Sequence, residues 1–156
     1  MKKVSARQWR GTRLMPAVRG VKERTMLTEG MKGHLELVVT EEKLASRVGS
    51  GLVEVFATPM MIAAIEQTAA ESVQGALEEG CTTVGTLVNV SHVAATPEGM
   101  KVTVDTELTG ISPNGRLLTF RVEARDEAGL IGEGTHERAV VKKQRFEEKA
   151  LSKKAL

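Results

Sequence analysis

Only one segment of this chain is both long enough and periodic enough to be a core helix, and every ordered stretch after it reads as strand. Over residues 59–79, Ile62, Ile65, Ala69, Val73, Ala76 and Leu77 recur at the three- and four-residue spacing of one helix face. Thr58 stands where an N-cap belongs. Pro59 takes the first helical position, where its missing N–H costs nothing, and Gly80 supplies the stop. Ala63, Ala64, Ala69, Ala70 and Gly75 are small enough for a sheet to approach closely. One long helix ahead of a run of antiparallel strands is an α+β arrangement.

Before the helix, residues 34–39 read as a first strand, 41–47 as a short helical turn, and Gly49-Ser50-Gly51 as a flexible stop. After it come strands over 82–95, 100–109, 117–126 and 130–142. Pro97-Glu98-Gly99, Pro113-Asn114-Gly115 and Asp126-Glu127-Ala128-Gly129 punctuate them as hairpin turns. Val102, Val104 and Thr106 alternate with Thr103, Asp105 and Glu107, as in a half-buried strand. No internal repeat or low-complexity linker appears. The 156 residues therefore read as one domain over 29–145, between a basic extension, 1–28, and a basic tail, 146–156.

Charge follows the same division. Residues 1–25 hold eight Lys or Arg against one Glu, and 142–156 hold six against two, whereas 26–141 hold eight against 17 acids. Basic ends attract nucleic acid or phosphates. Trp9, Phe56, Phe120 and Phe146 are too few aromatics for a base-stacking surface, so solvated tails and no nucleic-acid partner are expected. The first segment also reads as an upstream start ahead of Met26 or Met31, or as a targeting segment. No apolar run approaches the roughly 20 residues of a membrane span. The single cysteine, Cys81, excludes an internal disulfide and fits a reducing cytoplasm.

Three residues in this frame carry chemistry. Thr58 lies at the mouth of the helix, Glu66 follows about two turns on, and His92 lies in the β-rich stretch 88–93. A hydroxyl, a carboxylate and an imidazole are the parts of a nucleophile or water-activating relay. Spacing leaves open whether they meet. A plain cap, a solvent-facing glutamate and a hydrogen-bonded strand histidine fit the same pattern. His34, His92 and His136 are too scattered for zinc, and no Walker or Rossmann spacing occurs, so no metal or cofactor is expected.

Several blocks together resemble the hot-dog thioesterases related to fluoroacetyl-CoA thioesterase. They are Val55-Phe56-Ala57-Thr58-Pro59, Glu66, Val84-Gly85-Thr86, Ser91-His92-Val93-Ala94-Ala95-Thr96-Pro97-Glu98-Gly99-Met100 and Ile131-Gly132-Glu133-Gly134-Thr135-His136-Glu137-Arg138, within a match over about residues 30–141. The resemblance implies a hot-dog fold, a long central helix wrapped by a curved antiparallel β-sheet. It implies a homodimer with sites at the interface, and hydrolysis of acyl-CoA thioesters to free acid and CoA. Through it Thr58, Glu66 and His92 take the catalytic positions. Gly85 takes that of a glycine whose backbone N–H meets the substrate carbonyl region. Arg138 matches a supporting arginine, with His136 as the competing candidate.

These roles have physical reasons. A Thr at a helix start lies beside free N–H groups and the positive dipole end, which suit an oxyanion. His92 can act as its base, or as an acid for the leaving thiolate. Glu66 can orient the imidazole, attack the carbonyl or activate water. Leu52, Phe56, Met60 and Met61 are expected to wall the acyl pocket. Fluoroacetyl-specific members carry lid phenylalanines just ahead of this Thr, and Gly49-Ser50-Gly51-Leu52 has none. The departure implies a general thioesterase for short to medium acyl chains. A non-catalytic acyl-CoA or acyl-carrier binding module is the alternative.

Overall fold

The computed structural model describes residues 26–156, so all of the expected basic extension except 26–28 lies outside the described residues. Five strands form one antiparallel sheet: β1 (Lys32–Val38), β2 (Cys81–His92), β3 (Lys101–Ile111), β4 (Leu117–Asp126) and β5 (Gly129–Lys142). Their spatial order is β1-β3-β4-β5-β2. The long helix α2 (Thr58–Gln74) packs against β1, β2, β3 and β4. Register shifts in the β2–β5, β3–β4 and β4–β5 pairs mark bulges, which bend the sheet around the helix. This is the expected α+β, hot-dog arrangement.

The helix buries Met61, Ala64, Ile65, Thr68, Ala69 and Val73, a stripe at helical spacing. Opposite it the sheet presents Val102, Val104, Leu108, Leu118, Phe120, Val122 and Ala124, on strictly alternating positions of β3 and β4. Ile62, expected within the stripe, only flanks it. Thr68 is tolerated inside because its hydroxyl donates to the Ala64 carbonyl at 2.7 Å.

The helix bounds differ from expectation. Ala57 is the N-cap residue, so Thr58 holds the first helical position and Pro59 the second. At the other end α2 stops at Gln74, with a right-handed Gly75 as C-cap. The apolar period runs on through Ala76 and Leu77 because their N–H groups donate to Val73 and Gln74 carbonyls, which keeps the chain coiled for one tighter turn. Gly80 is instead the left-handed residue of the turn into β2, with φ +79°.

Of the three expected hairpins, two join β3 to β4 and β4 to β5. The third, at 97–99, is a crossover, because β2 pairs with β5 and β3 lies on the far side of β4. There Pro97 bridges Val55, and the Gly99 N–H donates to the Val39 carbonyl. Pro and Gly reverse the chain equally well in either connection.

Between β1 and α2 the chain makes an excursion through a 3₁₀ turn (Glu41–Lys43) and the short helix α1 (Ala45–Val48). Its base is closed. Leu44 bridges Phe56, Ala45 N–H donates to the Val55 carbonyl at 2.8 Å, and Ala57 N–H donates to the Lys43 carbonyl at 2.9 Å. Leu44 and Phe56 are buried, whereas Leu52 at the tip is 98% exposed. After β5, Lys143–Ser152 form an exposed helix, α3, so the boundary expected at 145/146 falls inside a helix.

Candidate active site

The edge strand β2 reaches α2 at two places. Near the helix start, Thr58 Oγ1 lies 2.7 Å from His92 Nδ1. Ala57, not Thr58, holds the N-cap position, so the Thr58 hydroxyl is free for this contact. His92 Nε2 is buried and has no hydrogen-bond partner among the described residues. Burial lowers the imidazole pKa from its ordinary 6.5, with the Ala94 backbone working the other way. The ring is therefore neutral at pH 7, and with the Thr58 O–H donating, Nδ1 is positioned to take the hydroxyl proton. The expected set of free N–H groups here is smaller than the sequence suggests. Met60 and Met61 both donate to the Ala57 carbonyl at 3.0 Å, and Pro59 has no N–H, which leaves that of Thr58 itself.

Two turns along, Glu66 Oε2 accepts from Arg138 Nη1 at 3.2 Å. Arg138 is buried, and Thr83 holds it. Its Nε donates to Thr83 Oγ1 at 2.8 Å and its Nη2 to the Thr83 carbonyl at 2.9 Å. Nη1 also lies 3.2 Å from His136 Nε2, and His136 Nδ1 lies 2.7 Å from the Leu87 carbonyl. A guanidinium only donates and a carbonyl only accepts, so His136 carries its one proton on Nδ1 and is neutral. Burial, and then the charge of Arg138, lower its pKa, in agreement with that tautomer. Burial also works against the Arg138 charge, and Glu66 supports it.

Gly85 is where Glu66 meets the sheet. It pairs with Arg138 across β2 and β5. A Cβ at Gly85 would run into Glu66 Oε2 and lie 3.3 Å from His136 Cε1, so glycine leaves the carboxylate its place there. Directly after it β2 bulges, with Thr86 lacking a counterpart on β5. Bulges next to a site re-aim backbone groups, and the Leu87 carbonyl just past this one holds His136.

The structure thus brings Thr58 to His92, and Glu66 to Arg138, Gly85 and His136. Within the chain, Glu66 makes no hydrogen bond to His92 among the described residues. Arg138 and His136, competitors in the sequence, belong to one network, and Arg138 is the one bonded to the carboxylate. Sequence reasoning missed Thr83. Its signal was the two-residue spacing to Gly85, which puts both on one face of β2. The four expected pocket walls scatter. Phe56 and Met61 lie in the core, Met60 is partly buried against it, and Leu52 is exposed.

The sequence model of the family described as fluoroacetyl-CoA-specific thioesterase matches residues 39–144. The fluoroacetyl-CoA thioesterase of Streptantibioticus cattleyicolor is 43% identical over 100 residues, covering 64% of this chain and 70% of that protein. The solved structure of the fluoroacetyl-CoA thioesterase FlK superposes with a TM-score of 0.77 at 35% identity, covering 81% of this chain and 97% of that one. A hypothetical protein from Thermus thermophilus, described as a thioesterase superfamily member, superposes with a TM-score of 0.74 at 32% identity, covering 82% and 93%.

Proposed function

The chain belongs to the fluoroacetyl-CoA-specific thioesterase family; on that premise we propose that it hydrolyses acyl-CoA thioesters to free acid and CoA, with Thr58, His92 and Glu66 as the reacting groups. The observation that carries this assignment is the 2.7 Å contact between Thr58 Oγ1 and His92 Nδ1. A hydroxyl bonded to a neutral imidazole is an activated nucleophile or a means of activating water. His92 takes the proton on attack and returns it to the departing CoA thiolate.

Glu66 joins this pair across a homodimer. β2 is an edge strand whose residues 85–89 are exposed, with Leu87 49% and Val88 39% accessible. A long apolar edge is a template for pairing. When two β2 edges pair about an axis between Val88 and Asn89, Gly85 of one chain comes opposite the partner's His92. The Glu66 over that glycine then stabilises the imidazolium formed at the partner's His92. Light scattering should give twice the chain mass. Mixing inactive Glu66→Gln and His92→Ala proteins and allowing exchange should restore about a quarter of wild-type activity, because half the dimers then hold one intact site. No recovery on exchange would place each site within one chain.

Thiol release from a panel of acyl-CoAs tests the activity. The exposed tip Gly49-Ser50-Gly51-Leu52 carries no phenylalanine. Fluoroacetyl-CoA should therefore not exceed acetyl-CoA by orders of magnitude. Rates should be graded across butyryl-, hexanoyl- and phenylacetyl-CoA, since a methylene in an apolar pocket changes binding by about 1–3 kcal/mol. A folded protein that binds CoA yet releases thiol from none of these esters is a binding module.

His92 serves as base only while neutral. Within the chain burial lowers its pKa, and in the dimer the partner's carboxylate opposes that shift, so kcat/KM should fall on the acid side as the ring protonates. A profile without an acid limb would remove His92 as the base. His92 and His136 both have folded pKa values below 6.5. The stability each contributes is complete above the unfolded value and is lost as pH falls through the folded one. No helix among the described residues is long and apolar enough to cross a membrane. The free, half-buried Cys81 suits a reducing cytoplasm.

A further inference from the structure

A buried guanidinium has several N–H groups to satisfy and only one plane in which to do so. Four acceptor atoms meet that of Arg138. Thr83 supplies two of them, Oγ1 to Nε at 2.8 Å and its carbonyl to Nη2 at 2.9 Å. His136 Nε2 and Glu66 Oε2 share Nη1, each at 3.2 Å. The two shorter contacts are therefore those of Thr83, and both lie on one edge of the fork. A two-point grip on one edge of a rigid planar group fixes the direction of its remaining nitrogen. That nitrogen, Nη1, is the only donor to the Glu66 carboxylate among the described residues. The Glu66 side chain is 40% accessible, so packing alone leaves the carboxylate free to turn.

We propose that Thr83 is a positioning residue of the reaction, its two oxygens aiming Arg138 and, through Nη1, the Glu66 carboxylate; this rests on the thioester chemistry proposed above. Its place on β2 suits the task. Thr83 and Leu87 stand two residues to either side of Gly85, where Glu66 meets the sheet. Thr83 holds Arg138 and the Leu87 carbonyl holds His136, so one strand fixes both neighbours of the carboxylate. A backbone carbonyl is available at any strand position, but the second acceptor has to come from a side chain. Valine has the shape of threonine without that oxygen, and would set a methyl group against the buried Nε–H. Serine would keep both acceptors. A merely structural threonine would support the strand and leave the direction of the carboxylate to other contacts.

The test compares Thr83→Val, Thr83→Ser and Thr82→Val in the full-length protein, by steady-state hydrolysis of acetyl-CoA and by nitrogen-15 NMR of the arginine Nε–H groups. Thr83→Val should lower kcat about 10–100-fold, the worth of one hydrogen bond to a charged group, with KM nearly unchanged. Thr83→Ser should retain most of kcat. Thr82→Val removes a hydroxyl from the adjacent strand position, where it donates to Gln74 Oε1 at 2.9 Å, and should leave kcat as it is. Near-native kcat in Thr83→Val, a rise in KM alone, or equal losses in Thr83→Ser or Thr82→Val overturns the assignment while leaving the thioesterase reading intact. The NMR readout is independent of turnover. In the wild type and in Thr83→Ser, the Arg138 Nε–H, identified by its absence in Arg138→Lys, should exchange slowly with solvent, and in Thr83→Val quickly. Fast exchange in the wild type overturns the grip even if Thr83→Val does not fold. A wild-type protein with a protected Nε–H that cleaves no acyl-CoA rejects the catalytic reading and keeps the grip on the carboxylate.

Discussion

Replacing His92 with alanine lowers kcat/KM for acyl-CoA hydrolysis by about 10²–10⁴-fold, the usual contribution of a positioned acid–base group. The fold should survive. His92 Nδ1 bonds only Thr58, whose position is exposed, and Nε2 has no partner among the described residues, so the truncation strands no buried polar group. Steady-state thiol release and thermal unfolding measured on one preparation separate the two effects. Near-native turnover in a normally folded variant removes the ring from the mechanism. Thr58→Ser keeps the hydroxyl at the same helical position and should retain far more activity than Thr58→Ala.

Gly85→Ala should cost activity on the order of 10²-fold by a different route, that of misplacing a reacting group by about an ångström. The new Cβ runs into Glu66 Oε2. The backbone there is held by pairing with Arg138, so the free end of the glutamate gives way and leaves the guanidinium. Because the yielding atom ends a side chain, the stability loss should stay within the 1–3 kcal/mol or so of a mild overpacking. The two losses share one cause and cannot add: Gly85→Ala in a Glu66→Ala background should lower the rate little further. Full additivity would mean that Gly85 acts through its own backbone and not through the carboxylate.

The elements were legible where two local signals agreed. β4 coincides with the expected 117–126 because turn residues mark both of its ends and alternation fills the middle. The connection after β2 was not legible, since Pro97-Glu98-Gly99 reverses the chain whether the next strand pairs with the last or crosses the sheet. Thr58 misled for a related reason. The same residue suits an N-cap and the first turn, and only the 2.7 Å contact to a histidine 34 residues away shows what its hydroxyl does. The Glu66–Arg138 pair spans 72 residues and has no periodicity to announce it; resemblance brought each residue to the site without pairing them. Thr83 went unnoticed because a small hydroxyl on a strand is ordinary until a buried guanidinium needs two acceptors. Phe56 and Met61, expected at the acyl pocket, are fully buried within the chain, and apolarity alone does not separate a core from a cavity lining.

The excursion from Leu44 to Phe56 is fastened at its neck and loose at its tip. Two buried side chains and the backbone bonds around them hold the neck, while Leu52 touches almost nothing. Mutations at the tip therefore reach the hydrophobic interior only through a rigid collar. A lineage can lengthen this stretch, stiffen its glycines or plant aromatic rings on it at little thermodynamic risk, because loop changes of this kind cost little. Diversification of what such an enzyme accepts can then proceed at the tip while the scaffold beneath it stays as it is. An inactive or narrow ancestor needs no refolded core to become a broad descendant, only a rewritten tip.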